Sequence, residues 1–342
     1  MTDNSQVKLN SRSQSCEGKI TMDKEHKSVK TFANLWSEYE IYDGKHLRDR
    51  EIDKDRMQSW SDNKLVRWLT RAIEHVPTSR PFIIVDAGCG LGYGFSVLLE
   101  LLLSQSNEST LLRKNNRKFI YYGLDLIDLE KTEVFMQNFI RSHNLNFECR
   151  FINFDILNSE FTENYADLVV SLGSMHHTKS VETALQSTFS CLQRRGTYIG
   201  WIINKQKPLR AATDAFFRQH FGGLSLKECE RELETLNTIF TSLGEALSDT
   251  NVQINQESKV LGLAAGKYKL QSLLYDYFLK CFYINNHSKQ RHIHQLYDWF
   301  SPTYYEQTDR AQLEQYIGKI EGNSTHEIIT KTNGHFFVIH RD

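Results

Sequence analysis

The 342-residue sequence predicts an α/β protein built on a doubly wound, mostly parallel sheet, and three observations lead there. Short apolar runs alternate with segments of helical period from Pro81 to Ile203, the spacing that βαβ units produce. Four alternating glycines, Gly88, Gly90, Gly92 and Gly94, follow the first apolar run at once. Acidic residues, Asp125 and Asp155, close the second and third runs.

Residues 1–28 are polar and charged, lack the apolar stretch of a secretory signal, and are expected to be a mobile arm. Residues 29–80 read as a helical lead-in: Phe32, Trp36, Tyr39 and Tyr42 lie among charges, and Leu65, Val66, Trp68, Leu69 and Ile73 recur at helical spacing between Asn63 and His75. The core, 81–204, opens with Phe82-Ile83-Ile84-Val85, a continuous apolar run suited to a strand covered on both faces. Helix Phe95–Leu103, strand Phe119–Leu124, helix Leu129–His143 and strand Cys149–Phe154 come next. Strand Ala166–Leu172, helix Val181–Leu192 and strand Thr197–Ile203 complete the alternation. Residues 205–300 are mostly helical in character, with amphipathic candidates at Lys227–Leu247 and Leu270–Tyr283, and are expected to form an inserted cap. Residues 301–342 return to the core and end in a hairpin, His326–Thr332 and His335–His340, around Asn333-Gly334.

Composition narrows the function classes. The 41 Lys and Arg residues balance 42 Asp and Glu, so no positive surplus is left to neutralise many phosphates, and nucleic acid is not the expected partner. The 40% hydrophobic and 24% charged content fits a soluble globular protein, and the longest apolar stretch, Val97–Leu103, is interrupted by Glu100, so no membrane span is expected. The six cysteines never form C-x-x-C, which argues against a zinc knuckle or redox motif and for a reducing cytoplasm. His292 and His294 have no acid or cysteine at a spacing that completes a ligand set, and no metal is expected.

The segment Val85-Asp86-Ala87-Gly88-Cys89-Gly90-Leu91-Gly92-Tyr93-Gly94 sits between a strand and a helix, where close approach of chain and ligand favours glycine. It is not a dinucleotide fingerprint, because Tyr93 or Phe95 falls at the third glycine position, and not a P-loop, because no Gly-Lys-Ser/Thr follows. The pattern Asp-x-Gly-x-Gly-x-Gly resembles motif I of the class I S-adenosylmethionine-dependent methyltransferases, and the resemblance covers about Pro81–Ile203. It implies that family's seven-stranded Rossmann-like sheet, S-adenosylmethionine as cofactor and S-adenosylhomocysteine as product. It also implies roles. Asp86 would pair with the cofactor's ammonium, while Gly88, Gly90 and Gly92 let backbone N–H groups at the helix N-terminus serve its carboxylate. Asp125 would hold the ribose, with Asp128 next in line; Asp155 would accept from the adenine amine and Ile156 would lie against the ring.

In the family, the segment Ser171-Leu172-Gly173-Ser174-Met175-His176-His177-Thr178 passes beneath the methionine moiety and faces the acceptor, and small-molecule members often carry a His-His pair there. His176 and His177 are therefore the candidate catalytic bases, an imidazole pKa of about 6.5 being suited to proton removal. The Asn/Asp-Pro-Pro-Tyr tetrad of enzymes that methylate nucleobase or glutamine nitrogens is absent. Phe32–Tyr39, with Trp36, resembles the N-terminal lid of small-molecule members. Eleven of the 38 residues from Tyr268 to Tyr305 are aromatic, against 12% of the chain, and Trp299 and Tyr304 are expected to wall an acceptor pocket. Lys207 and Arg210, just past the fifth strand, are candidates to grip an anionic acceptor. The expected activity is methyl transfer to an O, N or C atom of a small metabolite or natural-product intermediate, because a cap of this length can enclose a ligand. The alternatives are a methyltransferase of RNA or protein, an enzyme using the same cofactor without methyl transfer, and a non-catalytic cofactor-binding regulator; a homo-oligomer is compatible with each.

Overall fold

The computed structural model describes residues 47–105, 111–112, 117–158, 164–280, 288–320 and 323–342. The expected mobile arm and the lid segment with Trp36 lie outside these residues, as do Phe282 and Tyr283.

The strands are β1 (Phe82–Ala87), β2 (Phe119–Asp125), β3 (Phe147–Asn153), β4 (Ala166–Leu172), β5 (Leu192–Ile203), β6 (Asn251–Ile254), β7 (Gly266–Lys269), β8 (Asn323–Thr330) and β9 (Gly334–Arg341). Seven of them form one sheet in the order β3-β2-β1-β4-β5-β9-β8. Strands β1 to β5 are parallel, and β9 runs antiparallel between β5 and β8. The helices are α1 (Leu47–Trp60), α2 (Lys64–Glu74), α3 (Tyr93–Ser104), α4 (Glu130–Ser142), α5 (Val181–Ser190), α6 (Pro208–Phe221), α7 (Leu226–Leu247), α8 (Leu270–Tyr277), α9 (Lys289–Phe300) and α10 (Arg310–Gly318).

Side-chain alternation along the strands sorts the core into two layers. On one face Ile84, Tyr121, Leu168 and Val170 pack with Trp68 and Leu69 of α2, Phe95 and Leu98 of α3 and Met136 of α4. On the other, Val85, Leu124, Val169 and Tyr198 meet Val181 and Leu185 of α5 and Leu313 and Ile317 of α10. Full burial of each large apolar side chain contributes about 1.5–3 kcal/mol, which is why the continuous apolar runs had to become strands covered on both faces. Helix ends are satisfied locally. Ser180 caps α5, and Ser225 with Glu228 and Asp309 with Gln312 form capping boxes on α7 and α10.

Two boundaries differ from expectation. The segment 205–300 is not wholly helical, since β6 and β7 pair as an antiparallel ribbon. Each is only four residues long with alternating exposure, too short for its period to stand out in the sequence. Strand β5 starts at Leu192 rather than Thr197; Arg195 takes a φ of 63° there and the register with β4 shifts between Ala166 and Leu168. The strand therefore includes Arg194 and Arg195, ahead of the expected start.

A third apolar cluster joins Ile203 at the end of β5 to Phe221 of α6, Leu233 of α7 and Leu296 and Phe300 of α9. It seats these helices beside the C-terminal edge of the sheet. The order reverses between β1 and β4, the place where open α/β sheets leave a crevice for ligands. Gly200 tests this packing: a Cβ there would lie 2.2 Å from the ring of fully buried Phe337. Gly200→Val should cost about 1–3 kcal/mol, read as a lower urea midpoint with an unchanged m-value.

Candidate active site

A cavity of about 410 Å³ opens at the C-terminal ends of β1, β2, β3 and β4. Its floor is the loop after β1. Gly88, Gly90 and Gly92 have φ of 74°, 50° and 75°, left-handed values that any side chain would strain. Gly88 and Cys89 donate their N–H groups to the Leu124 carbonyl, and the Gly90 N–H donates to Asp125 Oδ2 at 2.8 Å. Asp125 also accepts from the N–H groups of Leu126 (2.7 Å) and Ile127 (3.3 Å). Enclosure in the wall raises the pKa of Asp125, opposed by these backbone donors. Asp155 and Ile156, just past β3, line the same cavity, and Asp155 Oδ1 accepts from Leu157 N.

The opposite wall comes from the turn after β4 and from α9 with its following loop. His176 and His177 lie ring against ring at 4.1 Å. His176 also meets Trp201 edge-on at 5.5 Å, and among the described residues its Nδ1 has no hydrogen-bond partner. His177 Nδ1–H donates to the Tyr304 carbonyl at 3.4 Å, which leaves Nε2 as the lone-pair nitrogen, 3.9 Å from Asp298 Oδ1. Burial pushes His176 well below the ordinary imidazole value and His177 down to about 3. Asp298 touches cavity space, yet protein surrounds it, and this desolvation pushes its pKa up to about 6. Trp299, Tyr304, Trp201 and Phe336 supply the aromatic surface.

A last group closes the cavity from α1. Asp53 accepts from the Tyr93 hydroxyl at 2.9 Å and from Arg291 at 2.8 Å, and Asp49 accepts from the N–H and hydroxyl of Ser288, so α1 is tied to α3 and to the start of α9. Arg56, Lys280 and Gln295 also line the space.

Residues 85–200 match the family model for a methyltransferase domain, and they span the glycine loop, the strand-end acids and the histidine turn. The α/β core is a class I methyltransferase domain. No curated protein matches the chain. Solved structures similar to it include the CurJ carbon methyltransferase, 13% identical with a TM-score of 0.39 over 79% of this chain and 50% of that one. An O-methyltransferase family protein from Burkholderia thailandensis is 10% identical, TM-score 0.40, over 88% of this chain and 61% of that one. The 1,6-didemethyltoxoflavin N1-methyltransferase of the same organism, which holds S-adenosylhomocysteine, is 11% identical, TM-score 0.36, over 84% and 82%. The chain thus spans half of the first of these proteins and about three fifths of the second.

Within the methyltransferase domain, Gly88, Gly90, Asp125, Asp155, Ile156, His176 and His177 converge on the cavity, as do Trp299 and Tyr304 from outside it. Others do not. Asp86 is 4% exposed, takes a hydrogen bond from Tyr121 at 2.7 Å and does not line the cavity. Ser171 donates to the Ala87 carbonyl, and Gly92 caps α3 against Met136, so both brace the loop without lining the cavity. Asp128 caps the start of α4 from an exposed position. Lys207 donates to the Gly262 carbonyl at 2.9 Å, and Arg210 is fully buried against Asp214 at 3.0 Å; neither lines the cavity, and each instead helps hold the α6 region together. Among the described residues, no group of three or more His, Cys, Asp or Glu is placed to hold a metal. No helix among them is long and apolar enough to cross a membrane.

Sequence reasoning missed Asp53, Arg56, Lys280, Arg291 and Gln295. Only Lys280 left a signal, as the one cation inside the apolar run from Tyr277 to Tyr283.

Asp86 gives a test of its structural role. Desolvation raises its pKa from 3.8 to about 7. The folded protein therefore binds this proton more tightly than the unfolded chain, so stability falls as pH rises from about 4 through 7 and the full penalty applies above that. Asp86→Asn keeps an acceptor for Tyr121 and removes the charge. It should stabilise the fold by a few kcal/mol at pH 8, with little gain at pH 4, in paired urea titrations, while leaving affinity for S-adenosylhomocysteine unchanged.

Proposed function

We propose that the chain transfers a methyl group from S-adenosylmethionine to an oxygen, nitrogen or carbon atom of a small organic molecule. One observation carries the cofactor reading: the glycine loop, Asp125 and the Asp155-Ile156 pair meet on a single cavity at the switch point of the sheet. The residues fit the group. Gly88 and Gly90 put bare backbone against the cavity, and the N-terminus of α3 favours a carboxylate nearby. Asp125 Oδ2 takes one backbone N–H, so it retains lone-pair capacity for a sugar hydroxyl. Asp155 and Ile156 offer an acceptor and an apolar surface to a base.

The cofactor, when bound, supplies an electrophilic methyl group on a positively charged sulfur. The chain's own residues do the rest. Aromatic faces at Trp201, Trp299, Tyr304 and Phe336 suit both a cation and a flat acceptor. Holding the acceptor atom in line with the methyl group accounts for up to about 7–11 kcal/mol of barrier lowering in well-oriented systems. His176 and His177 are neutral at pH 7 and ready to accept a hydrogen bond, but with pKa values pushed far down they are weak bases. A small acceptor is favoured because the cavity is walled by α1, α9 and Lys280 and lies within the usual ~300–1,000 Å³ of small-ligand sites.

Calorimetric titration checks the reading. S-adenosylmethionine and S-adenosylhomocysteine should bind with NADH as a silent control, and Asp125→Ala should weaken both about 10–100-fold, the effect of losing a hydrogen bond to a charged group. Absence of binding by both would overturn it. Full affinity in Asp125→Ala would remove that residue from the site.

A further inference from the structure

Lys280 is a cation placed where a soluble protein seldom puts one. It follows α8, is 7% exposed, and lines the cavity on the side of Trp299 and Asp298. Its Nζ lies 3.1 Å from the Tyr275 hydroxyl and 4.2 Å over the Trp299 ring. Among the described residues, the charged groups facing it include Arg56 on α1, Arg210 and Asp214 on α6, Asp276 on α8 and Asp298 on α9. Arg210 and Asp214 largely cancel as a buried pair, and Asp298 stands toward His177. Burial and the two guanidinium groups hold Lys280 well below its ordinary pKa. An ammonium so placed becomes favourable when an anion arrives beside it.

A separate observation points the same way. The nearby imidazoles are weak bases, so they are poorly suited to strip a proton from a neutral alcohol or amine. An acceptor that enters already ionised has no need of a strong base.

Building on the proposed methyl transfer, we infer that the acceptor is an acid: a flat aromatic or conjugated molecule that lies against the cavity's aromatic wall and docks an ionised oxygen, carboxylate or phenolate, against Lys280. Lys280 thereby selects the substrate.

The test uses the full chain saturated with S-adenosylhomocysteine and matched probes in a titration calorimeter. One arm compares 1-naphthoate with 1-naphthamide, the other 4-nitrophenolate with 4-nitroanisole, which separates carboxylate from phenolate. In at least one arm the acid should bind about tenfold or more tightly than its neutral match. Lys280→Met should abolish the preference while still binding S-adenosylhomocysteine. Lys280→Arg, which keeps the charge, should keep the preference, and the wild-type comparison of acid with neutral match stands even if the Met variant does not fold. Equal affinity for acid and neutral match, no binding by either acid, or a preference that survives in a folded Lys280→Met would overturn the inference. Loss of S-adenosylhomocysteine binding by the wild type would instead overturn the methyltransferase reading beneath it.

Discussion

The site depends on one backbone oxygen. The carbonyl of Ala87, last residue of β1, accepts from the hydroxyls of both Ser171 (2.9 Å) and Ser174 (2.8 Å), and so clamps the exit of β1 to the exit of β4. The clamp leaves no room between the two loops: a Cβ on Gly88 would lie 2.2 Å from Ser174 Cβ. Glycine at 88 is thus required twice, by its φ of 74° and by the neighbouring strand. The same contact sets where the turn Met175–His177 begins, since it starts directly after Ser174. Cofactor floor and acceptor wall are consequently fixed relative to one another by rigid strand ends, which is the arrangement that alignment-driven chemistry needs.

How much of this could be read from residues alone depended on the range of the interaction. The glycine loop, the strand-end acids and the histidine turn all lie within a few residues of a strand terminus, and the order of strands and helices placed them on one edge without knowledge of a single contact. Asp86, one residue short of the end of β1, is buried inside the sheet and does not line the cavity. Strand residues alternate between faces, so Asp86 shares its side with Ile84 and meets Tyr121, while Val85 and Ala87 belong to the opposite layer. Arg210 and Asp214, at i and i+4 on α6, carry the mark of a helical ion pair, which turned out to be buried in the fold rather than open to a ligand. Asp53 and Arg291 are different in kind. They stand 238 positions apart, and only the packing of α1 against α9 brings them together.

The electrostatics of the cavity run in one direction. Burial raises the carboxyl pKa values of Asp86, Asp125 and Asp298 and lowers those of His176, His177 and Lys280, so each of these six groups is pushed toward neutrality. This is the signature of an enclosed space that solvates charge poorly, and in such a space the interactions between charges are strengthened. The latch of α1 onto α3 and α9 contributes to that enclosure. Its contacts are polar, through Asp49 and Asp53, unlike the apolar cluster that seats α9.

Poor solvation of charge has a consequence for which acceptors suit the site. When a neutral nucleophile takes a methyl group from a sulfonium, positive charge persists and a proton must still leave, and the imidazoles of His176 and His177 are reluctant to hold it. When an anion takes the methyl group, opposite charges disappear together. A weakly solvating cavity favours the second course once the anion is inside, and opposes the anion's entry. Lys280 addresses that entry cost, because burial disfavours its ammonium and an anion docked beside it favours it. The weak histidines and the suppressed lysine are therefore two expressions of a single physical setting, in which the acceptor, rather than the protein, brings the negative charge.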